Sequence, residues 1–219
     1  MSVKIDWLHH ESMTKANYCD TCCHQYSDIC GGCETLEGVP VKYEEKPKVK
    51  ILDVTCGDRT IWFQKHEPHT IYCDKRREEW EGDFGKTLRV DGKKKHRHLV
   101  IDPDIQCDFT CLPFQDESFN LVVFDPPHIE NLSEGAWMRK SYGSLDGDWK
   151  PMIRDGFKEC MRVLKVGGTL VFKWSDISIS TREILNVIGQ EPLFGHRSGK
   201  KMNTHWMCFM KFEKEVSDA

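Results

Sequence analysis

The segment Asp125-Pro126-Pro127-His128 combines the residue types needed to hold a weakly nucleophilic amino group. It directly follows the apolar run at residues 120–124, which is typical of a buried strand. The carboxylate can accept a hydrogen bond from an amine, and the two prolines fix the backbone so that its carbonyls point into a cleft. The histidine ring can stack on a flat substrate. Together these residues would direct an exocyclic amine of a nucleobase, or another planar amide-like nitrogen, toward an electrophilic methyl group.

Further acidic residues follow other apolar runs, at positions suited to binding a nucleoside. Ligands of doubly wound sheets bind beyond the carboxyl ends of the strands, where the strand order reverses. Gly57 would let the backbone approach a ligand closely, and Asp74 lies 21 residues after Asp53, where an acidic residue accepts ribose hydroxyls. Asp108 can accept from an adenine amino group while Phe109 packs on the ring. The predicted cofactor site comprises Asp53, Thr55, Cys56, Gly57, Arg59, Asp74, Asp108 and Phe109.

The elements that must position these residues alternate between short apolar runs and helical patterns from about residue 49 to 212. Short apolar runs with β-branched members are typical of a sheet covered on both faces. The pattern predicts an α/β, Rossmann-like, mostly parallel seven-stranded sheet with helices on both faces. The expected strands are 49–54, 70–74, 98–101, 121–125, 169–174 and an edge strand at 204–212 that pairs near residues 193–194; the clearest helices are 149–164 and 181–188.

Composition limits the possible environments of the chain. It has 219 residues, 39% hydrophobic and 30% charged, and no apolar stretch near the ~20 residues that span a bilayer. The first residues lack the apolar core of a signal peptide. We therefore expect a soluble cytoplasmic protein without a membrane partner. The net charge of −4 argues against a protein that coats nucleic acid generally, although it allows a local basic patch.

Five of the eleven cysteines fall between Cys19 and Cys33. Two Cys-x-x-Cys pairs in this stretch predict a tetrahedral, structural Zn²⁺ site in a small N-terminal segment, residues 1–45, which precedes the main domain at 46–219. Cys23 or His24 could replace one ligand, iron–sulfur binding remains open on the ligands alone, and reduced surface thiols are the competing interpretation. The predicted metal ligands are Cys19, Cys22, Cys30 and Cys33.

Four motifs in order give the chain a specific resemblance over about residues 48–212. They are Ile51-Leu52-Asp53-Val54-Thr55-Cys56-Gly57, then Tyr72-Cys73-Asp74, then residues 108–122 with their Leu-Pro-Phe and Ser-Phe-Asn-Leu-Val stretches, and Asp125-Pro126-Pro127-His128, before the Leu-Lys-Val-Gly-Gly-Thr-Leu stretch at 164–170. In these motifs the chain resembles the class I S-adenosylmethionine-dependent methyltransferases, and more narrowly the small methyltransferases of bacteria and phages.

The resemblance implies transfer of a sulfonium methyl to nitrogen, with Asp125 and the Pro126 carbonyl accepting the two amine hydrogens. It implies adenine N6, cytosine N4 or guanine N2 in DNA or RNA, or a glutamine amide. Only Gly57 remains of the family's glycine-rich first loop, and Arg59 is interpreted either as a partner of the methionine carboxylate or as a solvated helix-start residue.

We expect a nucleic-acid N-methyltransferase. The alternatives are an enzyme acting on a protein amide or small molecule, and a catalytically silent binding module. Basic clusters at residues 93–98, 139–140 and 196–201 would contact phosphates, or else be solvated surface. Residues 129–148 are expected to form a lid or base-binding segment.

Overall fold

The computed structural model describes residues 50–88, 94–198 and 203–213. The predicted Cys-rich segment, its four metal ligands and the division of the chain near residue 45 lie outside these ranges. None of the helices in the described residues is long and apolar enough to cross a membrane.

The described residues form one large sheet, a separate hairpin and three helices. The strands are Ile51–Asp53 (β1), Thr70–Asp74 (β2), Glu78–Leu88 (β3), Lys94–Ile101 (β4), Ile105–Gln106 (β5), Phe119–Phe124 (β6), Leu164–Ser175 (β7), Phe194–Ser198 (β8) and Thr204–Met210 (β9). The helices are Trp137–Tyr142 (α1), Trp149–Val163 (α2) and Thr181–Ile188 (α3).

The large sheet has seven strands in the order β5-β2-β1-β6-β7-β9-β8. All neighbouring pairs are parallel except those made by β9, which runs antiparallel to both β7 and β8. The prediction of a mostly parallel seven-stranded sheet is confirmed. The last strand does pair with the segment that begins at Phe194, but β9 lies inside the sheet and β8 forms the edge.

The third strand of the sheet differs from the prediction. The apolar run at residues 98–101 belongs to β4, which pairs with β3 in a hairpin outside the large sheet. The two-residue strand β5 takes the position beside β2 instead. The prediction was wrong because a continuous apolar run is typical of a central strand. In the hairpin, Leu99 and Ile101 are indeed buried, but Val100 between them is exposed.

Helices cover the sheet less evenly than expected. α2 and α3 contact each other, and α2 also packs on β6 and β7. Within the described residues, the connection from β1 to β2 consists of turns, and that from β2 to β5 contains the hairpin. Because crossovers are right-handed, connections that lead toward opposite edges of a parallel sheet lie on opposite faces. The β1–β2 and β2–β5 connections both lead toward the β5 edge, and their described residues form no helix. The prediction of helices on both faces is therefore wrong for the face that these two connections cover.

The core lies between α2 and the centre of the sheet. The buried positions of α2 recur at helical spacing, so one face of the helix packs on β6 and β7, and its Phe157 ring meets Phe209 of β9 edge-to-face at 5.0 Å. This face consists of Trp149, Ile153, Gly156, Phe157, Cys160 and Val163.

α2 also fixes the loop between β5 and β6. Glu159 accepts a hydrogen bond from the backbone N–H of Leu112 at 2.9 Å, and Arg162 donates to the backbone oxygens of Leu112 and Phe114. Because the loop includes Asp108, these bonds hold one wall of the candidate site against the core.

Candidate functional site

A cavity of about 260 Å³ lies beyond the carboxyl ends of β1, β2 and β6. β1 and β6 are neighbours whose onward connections lead to opposite ends of the sheet, so the cavity lies at the switch point where doubly wound sheets bind ligands. Eight of the twelve predicted catalytic and cofactor residues line it: Thr55, Cys56, Gly57, Asp74, Asp108, Phe109, Asp125 and Pro127. Asp53, Arg59, Pro126 and His128 are not in its lining.

The loop after β1 is held by a buried carboxylate. Asp53 accepts from the backbone N–H of Thr55 at 3.1 Å and from the indole N–H of Trp62 at 2.6 Å. Its burial raises the pKa of the carboxyl from 3.8 to about 7, against the lowering effect of these two hydrogen bonds. Asp53 does not line the cavity, but it fixes the backbone of Thr55, which does. Trp62 was missed in the sequence because nothing in its spacing marks it.

The turn at Gly57 brings the backbone against the acidic residue that ends β2. Gly57 has a φ of +51°, a conformation that favours glycine, and its N–H donates to Asp74 Oδ2 at 3.0 Å. Burial raises the pKa of the adjacent Cys56 thiol far above its ordinary range. Cys56 is therefore an uncharged wall residue and not a nucleophilic thiolate.

Arg76 is a site residue that sequence reasoning missed. Its guanidinium donates to Asp74 Oδ1 through Nε at 3.1 Å, and to the backbone oxygen of Lys140 in α1 through Nη1 at 2.7 Å. Arg76 therefore connects the predicted ribose-binding carboxylate to the segment that covers the cavity. No spacing rule predicts this contact, because it joins residues 64 positions apart.

Asp108 and Phe109 form the opposite wall. Asp108 accepts from Thr110 at 2.9 Å (backbone N–H) and 2.8 Å (hydroxyl), and from Lys75 Nζ at 2.9 Å. Burial alone would raise the pKa of Asp108, but the bonds from Thr110 and Lys75 lower it below its ordinary value. The Phe109 ring packs edge-to-face on Phe124, with ring centroids 5.2 Å apart.

Asp125 presents one paired and one unpaired carboxylate oxygen. Its backbone N–H donates to the Thr55 hydroxyl at 2.9 Å, which joins the ends of β6 and β1. Lys173 of β7, another residue missed in the sequence, donates to Oδ2. Oδ1 is buried, and no described residue donates a hydrogen bond to it. A buried unpaired acceptor is costly, so this oxygen suits a ligand with an N–H or O–H donor.

His128 is packed inward, and its ring contacts protein groups. Its Nδ1 lies 3.1 Å from the Pro126 carbonyl oxygen, which can only accept, so Nδ1 carries the proton. The ring meets Trp174 edge-to-face at 6.1 Å. Burial lowers the pKa of His128 from 6.5, so the ring is neutral at pH 7. The Pro126 carbonyl thus already has a donor, and one lone pair remains for a substrate.

Arg59 lies outside the cavity in a network of its own. Its guanidinium donates to the backbone oxygens of Lys65 at 2.9 Å and Asp102 at 2.8 Å, and lies 3.9 Å from the centroid of the Tyr72 ring. Neither sequence interpretation fits this position. Arg59 is 9% exposed, so it is not a solvated helix-start residue, and its donors hold the turns after β1 together.

Residues 129–148 cover one side of the cavity. Backbone bonds between Ile129, Asn131 and Leu145 close the base of this segment, and residues 141–144 line the cavity. A Cβ on Gly143 would lie 2.8 Å from Pro127 Cγ, so the glycine permits close contact with the Asp-Pro-Pro motif. The buried Ser141 hydroxyl has no hydrogen-bond partner among the described residues.

Acidic residues pair with two of the basic clusters. In the hairpin, His98 lies 2.6 Å from Glu79 and His96 lies 2.9 Å from Glu81, measured between side-chain nitrogen and oxygen. Arg139 forms an ion pair with Asp146 at 2.6 Å.

Residues 50–88, 94–198 and 203–213 contain no group of three or more His, Cys, Asp or Glu residues arranged to hold a metal. The zinc site predicted at Cys19, Cys22, Cys30 and Cys33 lies outside these residues and stays a prediction.

No protein-family model matches the chain, and no curated protein matches it. Among solved structures, a protein of Pyrococcus horikoshii OT3 covers 76% of this chain and 84% of its own at 14% identity, with a TM-score of 0.44. A proposed S-adenosyl-L-methionine-dependent methyltransferase of Methanococcus maripaludis covers 77% of this chain and 80% of its own at 13% identity and a TM-score of 0.39. A SAM-dependent methyltransferase of Methanosarcina mazei covers 81% and 79% at 15% identity and 0.33. At TM-scores below 0.5 and identities of 13–15%, these similarities support no conclusion about this chain.

Proposed function

We propose that the protein is an S-adenosylmethionine-dependent N-methyltransferase that acts on an exocyclic amino group of a base in DNA or RNA. The observation that carries the proposal is Asp125, which lines a cavity together with Gly57, Asp74 and Asp108 and whose buried Oδ1 accepts no hydrogen bond from the described residues. An acceptor for an amine hydrogen and the groups suited to a nucleoside thus share one cavity.

The fold supports a nucleoside-bearing cofactor. When the strands of the large sheet are numbered along the chain, their order is 3-2-1-4-5-7-6, and its first five members repeat the order of dinucleotide-binding sheets. The single antiparallel strand, β9, inserted next to the edge makes this sheet similar to that of class I methyltransferases.

The cavity suits the parts of S-adenosylmethionine. The positive φ of Gly57 allows backbone contact with the amino-acid portion, Asp74 can accept from ribose hydroxyls, and Asp108 with Phe109 can hold adenine. Carboxylates also favour a cationic ligand. When bound, this cofactor supplies an electrophilic methyl group on a sulfonium sulfur. Arg59 is left out of the proposed cofactor set, because its donors are bound elsewhere.

Asp125 would orient the amine and take up its proton. Oδ1 accepts one N–H, which directs the nitrogen lone pair toward the methyl carbon. The amine lone pair forms the new N–C bond while the C–S bond breaks, and the C–S electrons stay on sulfur. The nitrogen then loses one proton through Oδ1 to solvent. The covering segment at residues 129–148 would exclude water during formation of the N–C bond, before the proton leaves.

A protein amide or a small molecule is the alternative substrate. The contacts of His96 and His98 with glutamates and the ion pair of Arg139 with Asp146 favour this alternative, because acidic neighbours weaken the attraction of phosphates. A catalytically silent binding module is the other alternative, and measured turnover would exclude it.

The test uses the full chain with S-adenosylmethionine carrying an isotopically labelled methyl group, incubated separately with unmodified DNA, RNA and a protein extract. Digestion and mass spectrometry then locate the label. We expect label on an exocyclic base nitrogen, with at least a 100-fold loss in Asp125→Ala and no change in Asp155→Asn, which alters a surface carboxylate paired with Arg154. Cofactor binding measured by calorimetry should persist in both variants. Label confined to protein would sink the nucleic-acid assignment, and turnover that survives Asp125→Ala would sink the mechanism.

A further inference from the structure

Lys173 is held beside Asp125 by two contacts. Its Nζ donates to Asp125 Oδ2 and lies 5.6 Å from the centroid of the Trp206 ring, the cross-strand neighbour of Lys173 on β9. The side chains of Lys173 and Asp125 are 17% and 13% exposed. Lys173 therefore has a defined position beside the first residue of the Asp-Pro-Pro-His motif, unlike a solvated surface lysine.

The pair presents a donor next to an acceptor. An ammonium group has three N–H donors, and among the described residues Asp125 Oδ2 is the acceptor bonded to Nζ. The other oxygen of the same carboxylate, Oδ1, is the buried acceptor without a donor. A ligand that meets both groups must offer an N–H and, on a neighbouring atom of the same planar group, a lone pair.

We propose that Lys173 is a specificity-determining residue that donates to the ring nitrogen beside the target amine, while Asp125 Oδ1 accepts from the amine itself. This inference rests on the proposed function and narrows its substrate to a base amine beside an unprotonated ring nitrogen. Adenine (N6 and N1), cytosine (N4 and N3) and guanine (N2 and N3) offer this aminopyrimidine edge. An aliphatic amine lacks the second group.

The ion pair also explains why Oδ1 is the oxygen that remains for a substrate. An unpaired buried carboxylate would be strongly destabilised, and Lys173 compensates it at Oδ2. A purely structural lysine would do the same without touching the substrate. The two roles differ in one respect: only in the proposed role does the effect of removing the ring nitrogen disappear when Lys173 is replaced.

The experiment replaces that ring nitrogen by carbon. Oligonucleotides carrying adenine are compared with matched ones carrying 1-deazaadenine, and cytosine with 3-deazacytosine, and kcat/KM for labelled methyl transfer is measured on each. We expect the unaltered protein to lose about 10- to 100-fold on the deaza base, as for a lost hydrogen bond to a charged group. Lys173→Met should be slow on both bases with a ratio near 1, and Lys173→Arg should keep the discrimination.

Equal rates of the unaltered protein on the natural and deaza bases would overturn the proposal, whether or not the variants fold. Discrimination that persists in Lys173→Met would overturn it as well. Methylation of a protein amide alone refutes the aminopyrimidine assignment but leaves methyl transfer established. Methylation of no substrate at all, with the cofactor bound, refutes the proposed function itself, so the two failures are distinguishable.

Discussion

Replacing Gly156 by alanine should destabilise the protein, although the same change stabilises most helices. Gly156 lies inside α2, where alanine is favoured over glycine by about 1 kcal/mol. An added Cβ would, however, lie 2.4 Å from Phe109 Cδ2 and 3.2 Å from Phe124 Cζ. Phe124 is itself fully buried and packs edge-to-face on Phe109, so Phe109 can move only toward the cavity that it lines.

The expected magnitude follows from two opposing terms. Overpacking a core costs about 1–3 kcal/mol, and the favourable helix term is about 1 kcal/mol. We expect the free energy of unfolding to fall by about 1 kcal/mol, measured by urea denaturation. Because Phe109 lines the cavity, its displacement should also weaken S-adenosylmethionine binding in calorimetry.

Two controls make the result specific. Gly135→Ala adds a Cβ with no heavy atom within 4 Å and should leave stability within about 0.5 kcal/mol. Phe109→Leu shortens the opposing side chain, so Gly156→Ala in that background should cost less or become favourable. A stabilised Gly156→Ala single variant would refute the packing argument for this wall.

Three further predictions concern residues around the cavity and outside it. Between pH 4 and 7 the folded protein binds a proton at Asp53 more tightly than the unfolded chain, because its folded-state pKa is raised to about 7. The free energy of unfolding should thus fall as pH rises through this window, by about 1.4 kcal/mol for each unit of the shift, and Asp53→Asn should flatten that slope in urea titrations at several pH values. Arg59→Met should lower stability by about 3 kcal/mol but leave cofactor affinity unchanged in the folded fraction, whereas a large loss of affinity would restore the methionine-carboxylate role. Purified protein should contain one zinc per chain by atomic spectroscopy, absent in Cys19→Ser and Cys33→Ser; metal-free unaltered protein would contradict the N-terminal site.

The sequence predicted the acidic residues of the site because each follows a recognisable apolar run. β1 ends at Asp53, β2 ends at Asp74, and Asp125 directly follows β6. The carboxyl ends of parallel strands lie at the same edge of a sheet, so these residues come together. Both the apolar run and the acidic residue that follows it can be recognised in the amino-acid sequence. The same logic located Gly57, whose turn must follow the first strand.

The partners of these residues could not be predicted, since long-range contacts leave no local pattern. Lys173 is an ordinary alternating position within an apolar strand, and its pairing with Asp125 depends on the register between β6 and β7. Arg76 follows Asp74 in a loop, and Arg59 looks like a helix-start residue until the expected helix proves to be turns. The hairpin of β3 and β4 was missed because the apolar run at residues 98–101 of β4 has the pattern that is typical of a central strand.

The contacts between the hairpin and α1 join a surface outside the large sheet to the wall of the cavity. Trp80 of β3 meets Trp137 of α1 edge-to-face at 6.1 Å, and the Arg97 guanidinium of β4 lies 4.5 Å from the Trp137 ring centroid. α1 in turn supplies Ser141 and Tyr142 to the cavity wall. A molecule whose binding displaces Trp80 or Arg97 would change the free energy of moving α1, and its binding would then be thermodynamically linked to access to the cavity.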